Sequence, residues 1–367
     1  MKIVYVYPTL ASWGGVERIL IEKMSLLACE DGYEVFALTY NQGNHPVPFQ
    51  LDARVHHIDL GVRTHVQYQY QGIRRWIEGW KRRRWLRQRM KQTLREISPD
   101  VIVTTTSGEL SLLCQQKGDT PLIVESHGGY DHLIDYPSMN WLHRWDIRNR
   151  YRLLRKASAI VSLTDSDAQK WQAVYPHVWV IPNVVHLNPA NLYSQVDQKR
   201  IIFAGRLAEQ KGIPELIAMW RIVQQRHPDW QLDIYGEGDR ERLQQTAKGL
   251  QFFSPVADIF SKYRESSMLV LTSRWEPFGL VIPEAMSCGL PVVSFEGDGP
   301  NCIITDGVDG FIVKDRDIKI FADRVCQLIE HPELRQRMGR SAVQSVLRYT
   351  AERILPMWKE LFESFRK

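Results

Sequence analysis

Apolar and polar positions along the chain fall into two alternating series. Short apolar runs at 2–7, 34–38, 101–105, 122–125, 159–163 and 178–181 read as buried strands, with helical stretches between most of them. The first run meets Pro8 and then Gly14-Gly15, so a helix is expected to begin near Val16. A second series starts at 201–204, again running into a glycine turn, and continues at 232–235, 268–271, 291–294 and 311–313. Helices at 214–226 and 281–288 separate these runs. Strands that alternate with helices predict parallel, doubly wound sheets, so the fold class is α/β with two Rossmann-like domains. The stretch from Pro182-Asn183 through Pro189 to Gln198 has little periodicity and reads as the linker. The expected domains are 1–185 and 186–349, with 350–367 as a final helix. Open α/β sheets bind ligands at the carboxyl ends of their strands, so a substrate held between two facing domains is expected.

Composition narrows this picture. The 367 residues are 44% apolar and 24% charged, as in a chain able to build packed cores. No run approaches the roughly 20 apolar residues that span a bilayer, and the first residues lack a charged leader with a long apolar run, so a cytoplasmic chain is expected. Five scattered cysteines show neither a C-x-x-C pair nor a zinc-like spacing and are expected to be reduced and mostly buried.

The net charge of +5 is unevenly placed. Between Arg74 and Arg95 ten basic residues face one acid, Glu78, which gives about +9 there and about −4 elsewhere. Trp76, Trp80 and Trp85 are interleaved with Arg82, Arg83, Arg84 and their neighbours at spacings that suit an amphipathic helix, or a helix pair broken near Gly79. Such a surface fits anionic lipid, with tryptophans at headgroup depth. A solvated face with inward tryptophans and a nucleic-acid surface are the alternatives. The expected partner is the anionic inner face of the cell membrane, with Trp76, Trp80, Arg82, Arg83, Arg84 and Trp85 in contact.

Two motifs carry candidate chemistry. Gly205-Arg206 and Lys211-Gly212 follow a strand and precede a helix, so two cations can converge on one anion near a helix start, as a diphosphate requires. A surface arginine and lysine beside a turn is the plainer alternative. Glu276 and Glu284 lie eight residues apart across Phe278-Gly279-Leu280, whose amides form a candidate anion nest. Carboxylates placed this way accept hydrogen bonds from hydroxyl pairs on a sugar or ribose. The alternative is a turn residue and a favourable helix-dipole charge. Together the motifs describe a polyol-diphosphate site.

With these motifs the chain resembles the retaining glycosyltransferases of family 4, of the bacterial surface-polysaccharide type, which have the two-domain GT-B fold. Gly14-Gly15-Val16-Glu17-Arg18 looks like the family's glycine loop, Ile181-Pro182-Asn183 like its interdomain stretch and Gly236-Glu237-Gly238 like its second glycine turn. The resemblance implies that Arg206 and Lys211 neutralise the donor diphosphate, while Glu284 holds the ribose and Glu276 the transferred sugar. It also implies that Gly15, Gly205 and the amides of Phe278, Gly279 and Leu280 approach the donor. His127 matches the histidine that reaches the sugar from the N-terminal domain, and the last helix is expected to cross back onto that domain.

The implied reaction moves a hexosyl or N-acetylhexosaminyl group from a nucleotide diphosphate sugar, with a uridine diphosphate sugar favoured, to a lipid-linked oligosaccharide or polysaccharide precursor. Configuration is retained and neither cofactor nor metal is expected. Asp165-Ser166-Asp167 resembles a metal-binding Asp-x-Asp pair but follows a strand with Thr164, as an N-cap does. Asp131, His132 and Asp135 read as a solvated loop. The chain departs from the family at Phe253-Ser254-Pro255-Val256, where glycine is common, and 239–250 is short, which leaves the base pocket unassigned. A GT-B nucleotide-sugar epimerase and a non-catalytic lipid- or nucleic-acid-binding protein are the alternative functions.

Overall fold

Each apolar series folds into its own all-parallel sheet. The structure, a computed structural model, describes residues 1–106, 109–131, 141–238 and 247–366, with only the backbone described within 141–146. It divides into two units, Met1–Val184 with Ala351–Lys367 and Val185–Thr350.

The first unit holds seven strands: β1 (Lys2–Val6), β2 (Glu34–Thr39), β3 (His56–Asp59), β4 (Val101–Thr105), β5 (Leu122–Ser126), β6 (Ala159–Ser162) and β7 (Val178–Val180), in the order β3-β2-β1-β4-β5-β6-β7. β1 pairs with β2 on one side and β4 on the other, so the order reverses there and the crevice at their carboxyl ends is the place where such sheets bind ligands. Both faces of the sheet are covered. On one, Ile3, Tyr5, Met24 and Leu27 pack with Trp358 and Phe362 of the Ala351–Glu363 helix. On the other, Val4, Leu38 and Ile102 pack with Leu86, Met90 and Trp171. Burying side chains the size of Trp358 and Phe362 stabilises by roughly 1.5–3 kcal/mol each, so the C-terminal helix is a structural part of the first unit.

The second unit holds β8 (Arg200–Ala204), β9 (Gln231–Tyr235), β10 (Leu250–Phe253), β11 (Met268–Leu271), β12 (Val292–Phe295) and β13 (Gly310–Val313), ordered β10-β9-β8-β11-β12-β13. Its reversal lies between β8 and β11, whose carboxyl ends lead into the Gly205 and Glu276 segments.

Several expectations needed revision. The edge strands β3 and β10 were not foreseen, since His56-His57-Ile58-Asp59 is no apolar run and neither strand is fully buried. The basic segment is one helix, Gly72–Ile97, unbroken at Gly79. The Thr64–Gln69 turn of 3-10 helix packs beside it, with Gln67 Oε1 2.3 Å from where a Cβ on Gly79 would lie, a clash the end of that side chain could relieve by moving. The 186–198 stretch is mostly exposed and is tied down at single points, the Asn188 N–H donating to Ser287 Oγ at 3.0 Å and Arg335 Nε to the Val196 carbonyl at 2.7 Å. Of the cysteines, Cys288 and Cys326 are buried, Cys114 and Cys302 partly so, and Cys29 is exposed. No described helix is long and apolar enough to cross a membrane.

Candidate active site

In the second unit, the two sequence motifs sit side by side because they leave neighbouring strands at the reversal point. Gly212 adopts φ +63°, and a Cβ on it would lie 2.1 Å from the Thr272 carbonyl oxygen, so the lysine loop can press onto the end of β11 only with glycine here. Thr272 Oγ1 donates to the carbonyls of Lys211 and Gly212, at 3.0 Å each. Arg316 donates to the Ser273 and Thr272 carbonyls at 2.9 and 3.2 Å and pairs with Glu215 at 3.3 Å. Burial opposes ionisation of Glu215, but its own backbone amide together with Arg274 and Arg316 outweighs that and lowers its pKa.

This brace presents Lys211 directly to Glu276. Their Nζ–Oε2 distance is 2.5 Å, the side chains are 15% and 9% exposed, and Ser273 Oγ donates to the same oxygen at 2.9 Å. The sequence reading gave these two residues separate ligand groups, whereas the structure joins them. Arg206 is exposed and makes no ion pair among the described residues. Glu284 is buried in the first turn of the Val281–Ser287 helix. The N–H groups of Phe278, Gly279 and Leu280 precede that helix and lie outside its ladder. The Phe278 ring is buried edge-on against Tyr349 at 5.3 Å, which leaves its backbone as the part able to meet a ligand. Gly205 lies at the end of β8 with the Lys211 stem beside it.

In the first unit, His127 follows β5 and is nearly enclosed. Its Nε2 lies 3.0 Å from Glu125 Oε2, which also receives Lys23 Nζ at 2.5 Å, with the Lys23 and Glu125 side chains 3% and 2% exposed. The Lys23 ammonium sits 3.9 Å from the Trp358 ring centroid and 5.3 Å from that of Tyr5. Burial opposes ionisation of Glu125, yet Lys23 and the His127 hydrogen bond hold its pKa down to about 2. Burial lowers the Lys23 pKa, and Glu125 offsets part of that shift. The sequence reading missed both partners. Their signals were a glutamate at the end of an apolar strand and a lysine on the apolar stripe of the Gly15–Ala28 helix, beside Leu20, Met24 and Leu27. Gly15 is the exposed first residue of that helix, and Glu17 accepts from Tyr7 OH at 3.1 Å.

The remaining candidates separate. Thr164 caps the Asp165–Gln172 helix by accepting the Asp167 N–H, and Asp167 is buried, taking bonds from the Tyr130 N–H at 2.6 Å and Ser162 Oγ at 2.5 Å. Asp131 pairs with Lys170 at 2.5 Å, while His132 and Asp135 lie outside the described residues. So does 239–246. Phe253 stacks on Tyr235 at 4.8 Å. On the basic helix, Trp76, Trp80, Arg83, Arg84 and Trp85 are exposed, which overturns the reading of inward tryptophans. Arg82 departs from its expected outward role: it is half-buried and donates to the Val62 and Arg63 carbonyls at 2.8 and 3.2 Å.

Two reversal-point α/β units, one presenting cations and paired carboxylates at its strand ends, make up the GT-B glycosyltransferase architecture. A sequence model described as Glycosyltransferase Family 4 matches residues 13–188, and one described as Glycosyl transferases group 1 matches 187–345. The chain belongs to the family 4 glycosyltransferases. It is similar to an uncharacterized glycosyltransferase of Haemophilus influenzae, 26% identical over 98% of this chain and 99% of that one. It is also similar to the amylovoran biosynthesis glycosyltransferase AmsD of Erwinia amylovora, 30% identical over 56% of this chain and 62% of that one. Among solved structures, HepE of Anabaena in complex with UDP and glucose superposes with a TM-score of 0.72 at 19% identity, covering 99% of both chains.

Proposed function

We propose that the protein transfers a hexosyl or N-acetylhexosaminyl group, with retention of configuration, from a uridine diphosphate sugar to a hydroxyl of a lipid-linked oligosaccharide or polysaccharide precursor. The observation that carries this reading is the meeting of Lys211, Ser273 and Glu276 at the reversal point of the second unit, with Arg206 on the same loop as Lys211 and Glu284 in the following helix. The UDP bound to HepE supports the donor base, and the role of AmsD in amylovoran biosynthesis supports a polysaccharide product. The Trp- and Arg-rich helix of the first unit supports an acceptor presented at the anionic inner face of the membrane.

The chemistry follows from the ion pair. An arriving diphosphate offers Lys211 a more highly charged partner than Glu276, so Lys211 turns to the phosphates and Glu276 is released to accept sugar hydroxyls. Arg206 and Lys211 then stabilise the charge that grows as the C1–O bond to the diphosphate breaks. These cations meet the phosphate charge without a metal. The acceptor oxygen forms the new bond to C1 on the face the diphosphate leaves, and its proton passes to a donor phosphate oxygen. Glu284 fixes the ribose and His127 the sugar, so the carboxylates position and do not attack.

Two measurements test the reading. The anomeric configuration of the product, followed by NMR, should match that of the donor, and an inverted product overturns it. Glu284→Ala should lower turnover at least about a hundredfold if ribose positioning contributes roughly 3 kcal/mol, and a near-normal rate removes the site.

A further inference from the structure

β5 sends its side chains to two faces in turn, so Ile123, Glu125 and then His127 share one face and Ser126 takes the other. On that other face Trp171 Nε1 donates to Ser126 Oγ at 3.1 Å, which fixes the strand end. The first face is covered by the Gly15–Ala28 helix, whose Leu20, Met24 and Leu27 pack in one core with Ile123 and Trp358. Lys23 reaches down from this helix to Glu125 Oε2, and the Trp358 ring lies across its ammonium. A line of side chains therefore runs from Lys23 through Glu125 to His127, each at 5% exposure or less.

Chemistry decides where the protons in this line sit. Burial pushes the Glu125 carboxyl up, but Lys23 and the His127 hydrogen bond outweigh it, so Glu125 is ionised. An ionised carboxylate can only accept. A lone pair on His127 Nε2 would set two acceptors 3.0 Å apart in a buried place, so Nε2 carries the hydrogen. Glu125 Oε1 has no partner among the described residues, which concentrates the grip on both Lys23 and the ring at Oε2. Lys23 already balances the charge of Glu125, so the ring can make this bond in its neutral form. Its Nδ1 is then a lone pair, and no described residue donates to it.

We propose that Lys23 and Glu125 are positioning residues for glycosyl transfer: they lock the neutral His127 ring in the tautomer protonated at Nε2, which leaves Nδ1 to accept a hydrogen bond from a hydroxyl of the transferred sugar. In the opposite tautomer the free edge of the ring would donate and suit a carbonyl or carboxylate oxygen. In this one it selects a hydroxyl or another hydrogen-bond donor. Lys23 matters as much as Glu125, because an unbalanced carboxylate in this burial favours an extra proton on itself or on the ring, and a second proton on the ring puts a hydrogen at Nδ1. The inference rests on the proposed function only for the sugar that His127 meets.

The test uses the full chain. With isotope-labelled histidine at about pH 8, above the ordinary histidine range, long-range proton–nitrogen correlation should show a pyrrole-type nitrogen at Nε2 of His127 and a pyridine-type one at Nδ1, the signal being identified by its loss in His127→Ala. The reversed pattern overturns the proposal. Lys23→Met/Glu125→Leu should melt close to the wild type yet lose the tautomer preference. It should also lose about tenfold in kcat/KM, the worth of one hydrogen bond, read as UDP release from UDP-glucose or UDP-N-acetylglucosamine, whichever the wild type accepts. A stable double variant with tautomer and turnover unchanged makes the pair structural only and overturns the positioning role. Added to His127→Ala, the same double change should cost turnover nothing further, and a full second loss also overturns it. Glu125→Gln, whose amide oxygen can stand where Oε2 does, should keep the tautomer and most of the turnover. It serves as well if the double variant is unstable, since normal turnover with a reversed ring overturns the role. A wild-type chain that releases UDP from neither sugar fails the glycosyl-transfer reading, and the labelled-histidine spectrum, which needs no substrate, still decides the tautomer.

Discussion

The molecule contains two lysine–glutamate pairs of equal length in unequal surroundings. Lys23–Glu125 is enclosed, roofed by Trp358 and backed by Tyr5, whereas Lys211–Glu276 sits at the rim of its unit with Ser273 as a third member. Length alone does not say what an ion pair does. A pair sealed from water cannot trade either charge for a ligand, so Lys23–Glu125 is a fixture of the fold, and through its bond to His127 it also holds that imidazole in place. A pair at a rim has already lost part of its hydration and yet can exchange one partner for a ligand.

The sharpest way to break this contrast is Glu125→Ala, which leaves the Lys23 ammonium buried and unpaired. Urea unfolding should show a loss of about 3–5 kcal/mol, and Lys23→Met/Glu125→Leu should recover most of it. The pH dependence has a definite sign. The Glu125 carboxyl is held at about 2 against an ordinary 4.5, so its contribution is full above about 4.5 and lost as pH falls through about 2. Glu125→Gln should flatten the thermal-melt curve in that window.

Lys211→Ala should do the reverse. Turnover should fall at least about a hundredfold, near 3 kcal/mol, while the melting temperature barely moves. A large stability loss with intact turnover would make the rim pair structural too. Arg206→Ala, with no ion pair to break among the described residues, should raise KM for the donor about tenfold, near 1.4 kcal/mol, in steady-state kinetics. The smallest effect is expected from Ser273→Ala. Removing one hydrogen bond from Glu276 should cost about 1 kcal/mol in donor binding, read by calorimetry.

Most strands legible in the sequence have both faces covered, such as β1, β4 and β11, because burial on two sides demands an unbroken apolar run, although the edge strands β7 and β13 were legible too because each keeps a short apolar run. β3 and β10 sit at sheet edges, where polar residues are tolerated, and so left no such run. The site divides the same way. Gly205-Arg206, Lys211-Gly212 and the two glutamates were visible because local spacing places them. That Lys211 touches Glu276, 65 positions away, depends on which strands become neighbours, and spacing does not carry that information. Glu125 and Lys23 were hidden for a related reason: a charge within an apolar pattern looks like an interruption until its partner 102 residues away is known.

The Ala351–Glu363 helix also has a consequence for synthesis. Trp358 and Phe362 complete a core whose other members are translated first, so the opening half of the polypeptide leaves the ribosome with that face uncapped. It stays open until the whole intervening unit has been made. A premature stop codon a dozen positions short of the end would therefore disable the N-terminal unit, the part of the protein farthest from the lesion along the message.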